Sequence, residues 1–183
     1  MNQIKTCLIA AALALPAAAH AQTAPQPAPA PSGPPAWAFK QSTDAATGKV
    51  SASAQIRSTT ANGRLIVRCD TAVTPIISVQ FIPRPPLPAS DSRMVTITFD
   101  ESKAEIAAWE FPGQGAYIGE AYDVFVLAGE IAAAKTIRFD TINTDGSPIR
   151  SIFAGPGNDA LFRKVYETCG LPYALPDVTA ANP

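Results

Sequence analysis

Four carboxylates, Asp100, Glu101, Glu105 and Glu110, cluster around one strand connection. Two acidic side chains are the minimum that glycoside hydrolysis requires, one as acid and one as base or nucleophile. Acidic residues are also routine at the solvated ends of hairpins, and the sequence favours that reading. A second constellation alternates Arg68 with Asp70 and Arg138 with Asp140 at outward strand positions. It could line a polar groove for an anionic ligand, a face for another protein, or simply pair across strands. Ion pairing across strands is the preferred reading, and the four residues also form the candidate interaction face. Trp37 and Trp109 could form a recognition platform, but packing in the core suits both better.

Other chemistries are closed off by composition. The single histidine is His20, in what reads as a removable leader, so Ser-His-Asp and Cys-His mechanisms are absent in their usual form. There is no G-x-x-x-x-G-K to cradle phosphate, and Gly113-Gln114-Gly115 and Gly155-Pro156-Gly157 are no dinucleotide fingerprint. A net charge of −1 supplies no basic surplus for nucleic acid. No cofactor and no metal site is expected.

The leader is Lys5, an apolar run from Cys7 to Leu15, Pro16, and then Ala19-His20-Ala21. A positive start, a short apolar centre and A-x-A form the pattern of a secretory signal peptide at 1–21, cut before Gln22. The run is too short to span a membrane, which takes about 20 apolar residues, and no later stretch is long enough. Its loss removes one lysine and the histidine, leaving thirteen basic residues against fifteen acidic, a net charge of −2. Cys69 and Cys169 remain. An even pair in an oxidising compartment reads as one disulfide, and the location expected is periplasmic or secreted.

Residues 22–36 are rich in proline and alanine, which favours an extended polyproline II linker. A β-rich domain should follow over 37–170, with a flexible tail at 171–183. Apolar residues recur at every second position in Val50–Arg57, Leu65–Asp70, Ile77–Phe81 and Val95–Asp100, as half-buried antiparallel strands require. Ile106–Phe111 reads as a further strand. Asn62-Gly63 and Thr144-Asp145-Gly146-Ser147 predict hairpins, the second joining 137–142 to 149–153. Pro83, Pro85, Pro86 and Pro88 predict a loop over 83–93. Val124, Leu127, Ala128 and Ile131 share one helical side, so 121–133 reads as a helix, although Tyr122–Leu127 is also strand-like. A last helix begins near Asn158, carries Leu161, Phe162, Val165, Tyr166 and Cys169 on one side, and stops at Gly170. The fold class is therefore mainly β: an antiparallel β-sandwich or curled sheet with two helices and one disulfide.

This order of features resembles VasI-like accessory proteins of type VI secretion. Leu65-Ile66-Val67-Arg68-Cys69 is similar to their L-x-x-R-C strand and Val95–Asp100 to their strand ending in Phe-Asp. Trp109, the 121–139 helix-then-strand unit and the cysteine closing the final helix follow in the same order. Invasion-associated locus B proteins resemble the chain more weakly, through their strand and late cysteines. The resemblance implies a non-enzymatic envelope protein that contacts a secretion-system component, with no catalytic residues. The alternatives are a carboxylate-dependent cell-wall glycan hydrolase and a small-ligand binding barrel with an apolar cavity beneath the sheet.

Overall fold

The computed structural model describes residues 34–60, 63–102 and 104–176, all within the compact unit Gly33–Pro183. The signal-peptide stretch, most of the linker, Asn62 and residues 177–183 lie outside the described residues. The period-two stretches are strands. In chain order the elements are β1 (Ala38–Thr43), β2 (Val50–Arg57), β3 (Gly63–Asp70), β4 (Ile76–Pro83), β5 (Ser90–Phe99), β6 (Glu105–Phe111) and β7 (Ala116–Ile118). Then come α1 (Ala121–Ala133), β8 (Thr136–Ile142), β9 (Pro148–Ala154) and α2 (Ala160–Thr168). The strands form one antiparallel sheet in the order β1-β2-β3-β4-β7-β6-β5-β8-β9.

The sheet curls without closing. Its last strand comes against the β2–β3 turn, where Thr59 N donates to Ile152 O at 2.7 Å and Ile152 N to Ser58 Oγ at 3.3 Å. Trp37 Nε1 donates to Ala154 O at 2.8 Å, and the indole lies edge-on to Phe162. The alternation decides what the curl encloses. Phe81 of β4, Trp109 of β6, Phe139 of β8 and Phe153 of β9 all point inward and are fully buried. The rings of Phe81 and Phe139 are 5.0 Å apart, and Trp109 and Phe153 meet Phe139 edge-on. These rings occupy the space that a ligand-binding barrel would keep open.

Both helices run where their periodicity predicts. In α1, Val124, Leu127, Ala128, Ile131 and Ala132 are buried, while Tyr122 and Val126 stay exposed. A strand would have put Tyr122, Val124 and Val126 on one face, so the 3.6-residue period prevails. Glu120 caps the helix by accepting from Tyr122 N. In α2, Asn158 Oδ1 accepts from Ala160 N, and Gly170 takes φ 70 as a Schellman stop. Gly170 N reaches Glu167 O and Leu171 N reaches Tyr166 O. Cys69, on the inner face of β3, and Cys169, at the end of α2, form the expected disulfide with Cα atoms 6.4 Å apart. No helix among the described residues is long and apolar enough to cross a membrane.

Two boundaries differ from the sequence reading. The loop expected over 83–93 is confined to 84–89, because β4 continues through Pro83 and β5 begins at Ser90. Ser90 and Arg93 pair with Phe111 and Trp109 across a register shift, and such an irregularity erases the alternation that marks a strand. The segment expected as a tail from 171 also starts packed. Tyr173 lies edge-on to Tyr166, contacts Phe125, and carries the Arg163 guanidinium over its ring.

That packing has a consequence at high pH. Burial, followed by the neighbouring Tyr173, pushes the Tyr166 phenol from its ordinary 10.0 up to about 12. The folded chain thus holds this proton more tightly than the unfolded chain does. The associated stability is intact below pH 10 and is lost as pH rises towards 12. Urea midpoints should hold steady up to about pH 10 and then fall, and Tyr166→Phe should shallow that fall. A variant that follows the parent's curve above pH 10 would count against this role.

Candidate functional site

The four residues all stand at outward positions of the one sheet, but in two separate clusters, on β3 and on β8. On β3, Arg68 Nε and Nη2 grip Asp70 Oδ2 and Oδ1 at 2.6 and 2.7 Å, and Ser51 Oγ donates to the same carboxylate. Residues i and i+2 of a strand project to one side, which permits this fork-to-fork geometry. The Arg68 hydrogen bond holds Asp70 below the usual carboxylate range, and Asp70 in turn raises Arg68. On β8, Arg138 Nε donates to Asp140 Oδ2 at 3.0 Å and its Nη2 to Thr98 Oγ1, while Arg150 of β9 reaches Asp140 Oδ1 at 2.7 Å. Strands β4, β7, β6 and β5 lie between the two clusters. Phe81, beside β3, meets Phe139 of β8 through the inner faces, so the outer faces carrying the ion pairs point apart. Each cluster is a partly exposed ion pair of the kind worth under about 1 kcal/mol.

The acidic cluster divides likewise. Asp100 sits at φ 50, and its Oδ1 accepts from Lys135 N at 2.9 Å and Thr136 N at 2.8 Å, fastening the β5–β6 turn to the start of β8. Glu101 and Glu105 are exposed. Glu105 and Glu110 occupy opposite sides of β6, some five residues or about 16 Å apart along the strand. That is well beyond the ~5–9.5 Å of a glycosidase pair. Glu110 instead shares an open groove of about 500 Å³ with Asp91, Ser90 and Pro112, and both carboxylates stand in solvent. Trp109 is fully buried and Trp37 partly so; neither forms a platform. Among the described residues no group of His, Cys, Asp or Glu is placed to hold a metal ion.

Two surfaces were not anticipated. The first is apolar. Met94, Ile106 and Ile142 are 57%, 65% and 55% exposed and lie on the outer face of β5, β6 and β8. Met94 pairs with Ala108 and Ile106 with Thr96. Thr96 pairs with Asp140, two residues before Ile142, so the three side chains gather on one part of the face. The sequence carried a signal for this, since each occupies the polar parity of its strand. The second surface is a groove of about 290 Å³ on the other half of the sheet. Arg64, Gln80 and Tyr117 line it from the sheet, and the turn Pro112–Gly115 lines it from above. Burial, then the Glu110 and Asp70 charges, raise the Tyr117 phenol above its ordinary range. This groove depends on β7, whose three residues are too few to show a period.

Compared with known proteins, the chain matches no family model, no curated protein and no solved structure.

Proposed function

We propose that this chain is an exported, non-enzymatic protein-interaction module of a bacterial envelope. The observation that carries the reading is the apolar patch of Met94, Ile106 and Ile142, grouped on the outer face of β5, β6 and β8. Large apolar side chains grouped at positions that the alternation reserves for polar ones mark a contact surface. The signal-peptide pattern and the disulfide support an oxidising compartment, the periplasm or beyond. The resemblance to VasI-like proteins names a type VI secretion component as the partner class.

The test places a photoreactive phenylalanine analogue at Ile106 and, as a control, at Ser53 on the outer face of β2, in cells that produce the protein natively. Illumination should give a discrete adduct from Ile106 and none from Ser53. Adding Met94→Asp should cut the adduct about tenfold, as expected for a centrally placed apolar contact. No adduct from Ile106, or one indifferent to Met94→Asp, would overturn the reading.

A further inference from the structure

Helix α1 turns an apolar side to solvent. At about 100° per residue, Tyr122, Val126, Gly129 and Ala133 fall within roughly a sixth of the circumference and form one stripe. The stripe lies opposite the buried Val124, Leu127 and Ile131. All four of its positions are exposed, Tyr122 by 46% and Val126 by 39%. A surface helix ordinarily carries polar and charged residues on that side. This stripe carries no charge, since Asp123 and Glu130 stand roughly a quarter turn away on one flank.

Gly129 points the same way. Glycine inside a helix weakens it relative to alanine. Nothing within the chain needs the space it leaves, because a Cβ there would meet no atom within 4 Å. The notch is open only to something outside the chain.

The order of the stripe states what fits it. The large residues, Tyr122 and Val126, come first, and the small ones, Gly129 and Ala133, come last. A second copy laid antiparallel sets Val126 at the other copy's Gly129 and Tyr122 at its Ala133, since both pairs are symmetric about the midpoint between Leu127 and Ala128. A parallel pair would instead stack tyrosine on tyrosine and notch on notch. Charge agrees. Glu120 and Asp123 mark the start of α1, and Lys135, exposed and in no ion pair with a described residue, is the first charged residue past its end. Antiparallel alignment brings the acidic start of each helix to the other copy's Lys135 and opposes the two helix dipoles.

We infer that the chain pairs with a second copy of itself through the outward side of α1, the helices antiparallel and each Val126 seated at the other's Gly129. Thirteen residues give a contact about 20 Å long, so the dimer belongs to the weak, reversible class. It uses a different surface from Met94, Ile106 and Ile142 and does not depend on the interaction-module reading.

Sedimentation equilibrium of the oxidised protein from about 1 µM to 1 mM should show the mass rising from one chain to two. Val126→Glu should weaken association about tenfold or more, as expected for a central apolar contact. Gly129→Gln should do the same by filling the notch, while a thermal melt of the dilute protein shows it no less stable than the parent, because a better helix former enters open space. Met94→Asp, on the other surface, should leave association unchanged. The inference is overturned by a monomer throughout the range, by a dimer indifferent to Val126→Glu or Gly129→Gln, or by a dimer that Met94→Asp breaks instead. An intact dimer with no crosslinking from Ile106 would count against the apolar-patch reading alone.

Discussion

Cys169→Ser should destabilise the oxidised protein by about 4–5 kcal/mol, because the bridge to Cys69 closes a loop of 100 residues. In the chain-entropy account, cross-linking points that far apart removes much of the freedom of the unfolded chain. Geometry adds a folded-state reason. Cys69 is fully buried on β3, and Cys169 ends a nine-residue helix whose buried side chains are Phe162, Val165 and Tyr166. Folded domains hold only about 5–15 kcal/mol in total, so a loss of this size takes a third or more of it. Urea unfolding in non-reducing buffer measures it, with the reduced parent as the reference for losing the bridge while keeping both sulfurs. The reduced parent and the variant should agree closely and fall well below the oxidised parent. A midpoint equal to the oxidised parent's, or two reactive thiols titrated on the native protein, would remove the bridge from any account of its stability.

The parts of this fold that were legible in sequence are those with a period or a covalent partner. Alternation in Val50–Arg57 and Leu65–Asp70 marks β2 and β3 because one face of each is buried and the other is not. The helical period in 121–133 outweighs its strand-like half because burying Val124 and Leu127 together requires a turn of about 100° per residue. What stayed hidden has an equally physical cause. β1 buries little on either face, β7 is only three residues long, and the start of β5 slips register against β6. None of these leaves a period to read. The candidate site was legible by residue type but not by place. Arg68-Asp70 and Arg138-Asp140 are the same motif in sequence, yet sheet order separates them, and order is set by long-range pairing that no local pattern encodes.

Phe139→Ala should cost about 3–5 kcal/mol, the range for deleting a fully buried aromatic side chain. The ring is where the two halves of the curled sheet meet. It contacts Phe81 of β4 at 5.0 Å, Trp109 of β6 at 5.7 Å and Phe153 of β9 at 6.0 Å, the last two edge to face. Such pairs contribute about 0.5–1.5 kcal/mol beyond the area they bury, and a cavity bounded by three other rigid rings collapses poorly. The neighbouring position supplies the control. Arg138 stands one residue away on the same strand but points outward, in an ion pair with Asp140 that is 39% exposed on the arginine side. Arg138→Ala should therefore cost no more than about 1 kcal/mol. Both variants change β8 at adjacent residues with the same backbone pairing, so the difference between them isolates what the inner face contributes. Denaturant unfolding of the two, side by side, would measure that difference. If Phe139→Ala proved no more costly than Arg138→Ala, the aromatic centre would not be what holds the curl together. Stability would then reside in the disulfide and the strand ladder, and the inward set of the alternation would have lost its energetic meaning.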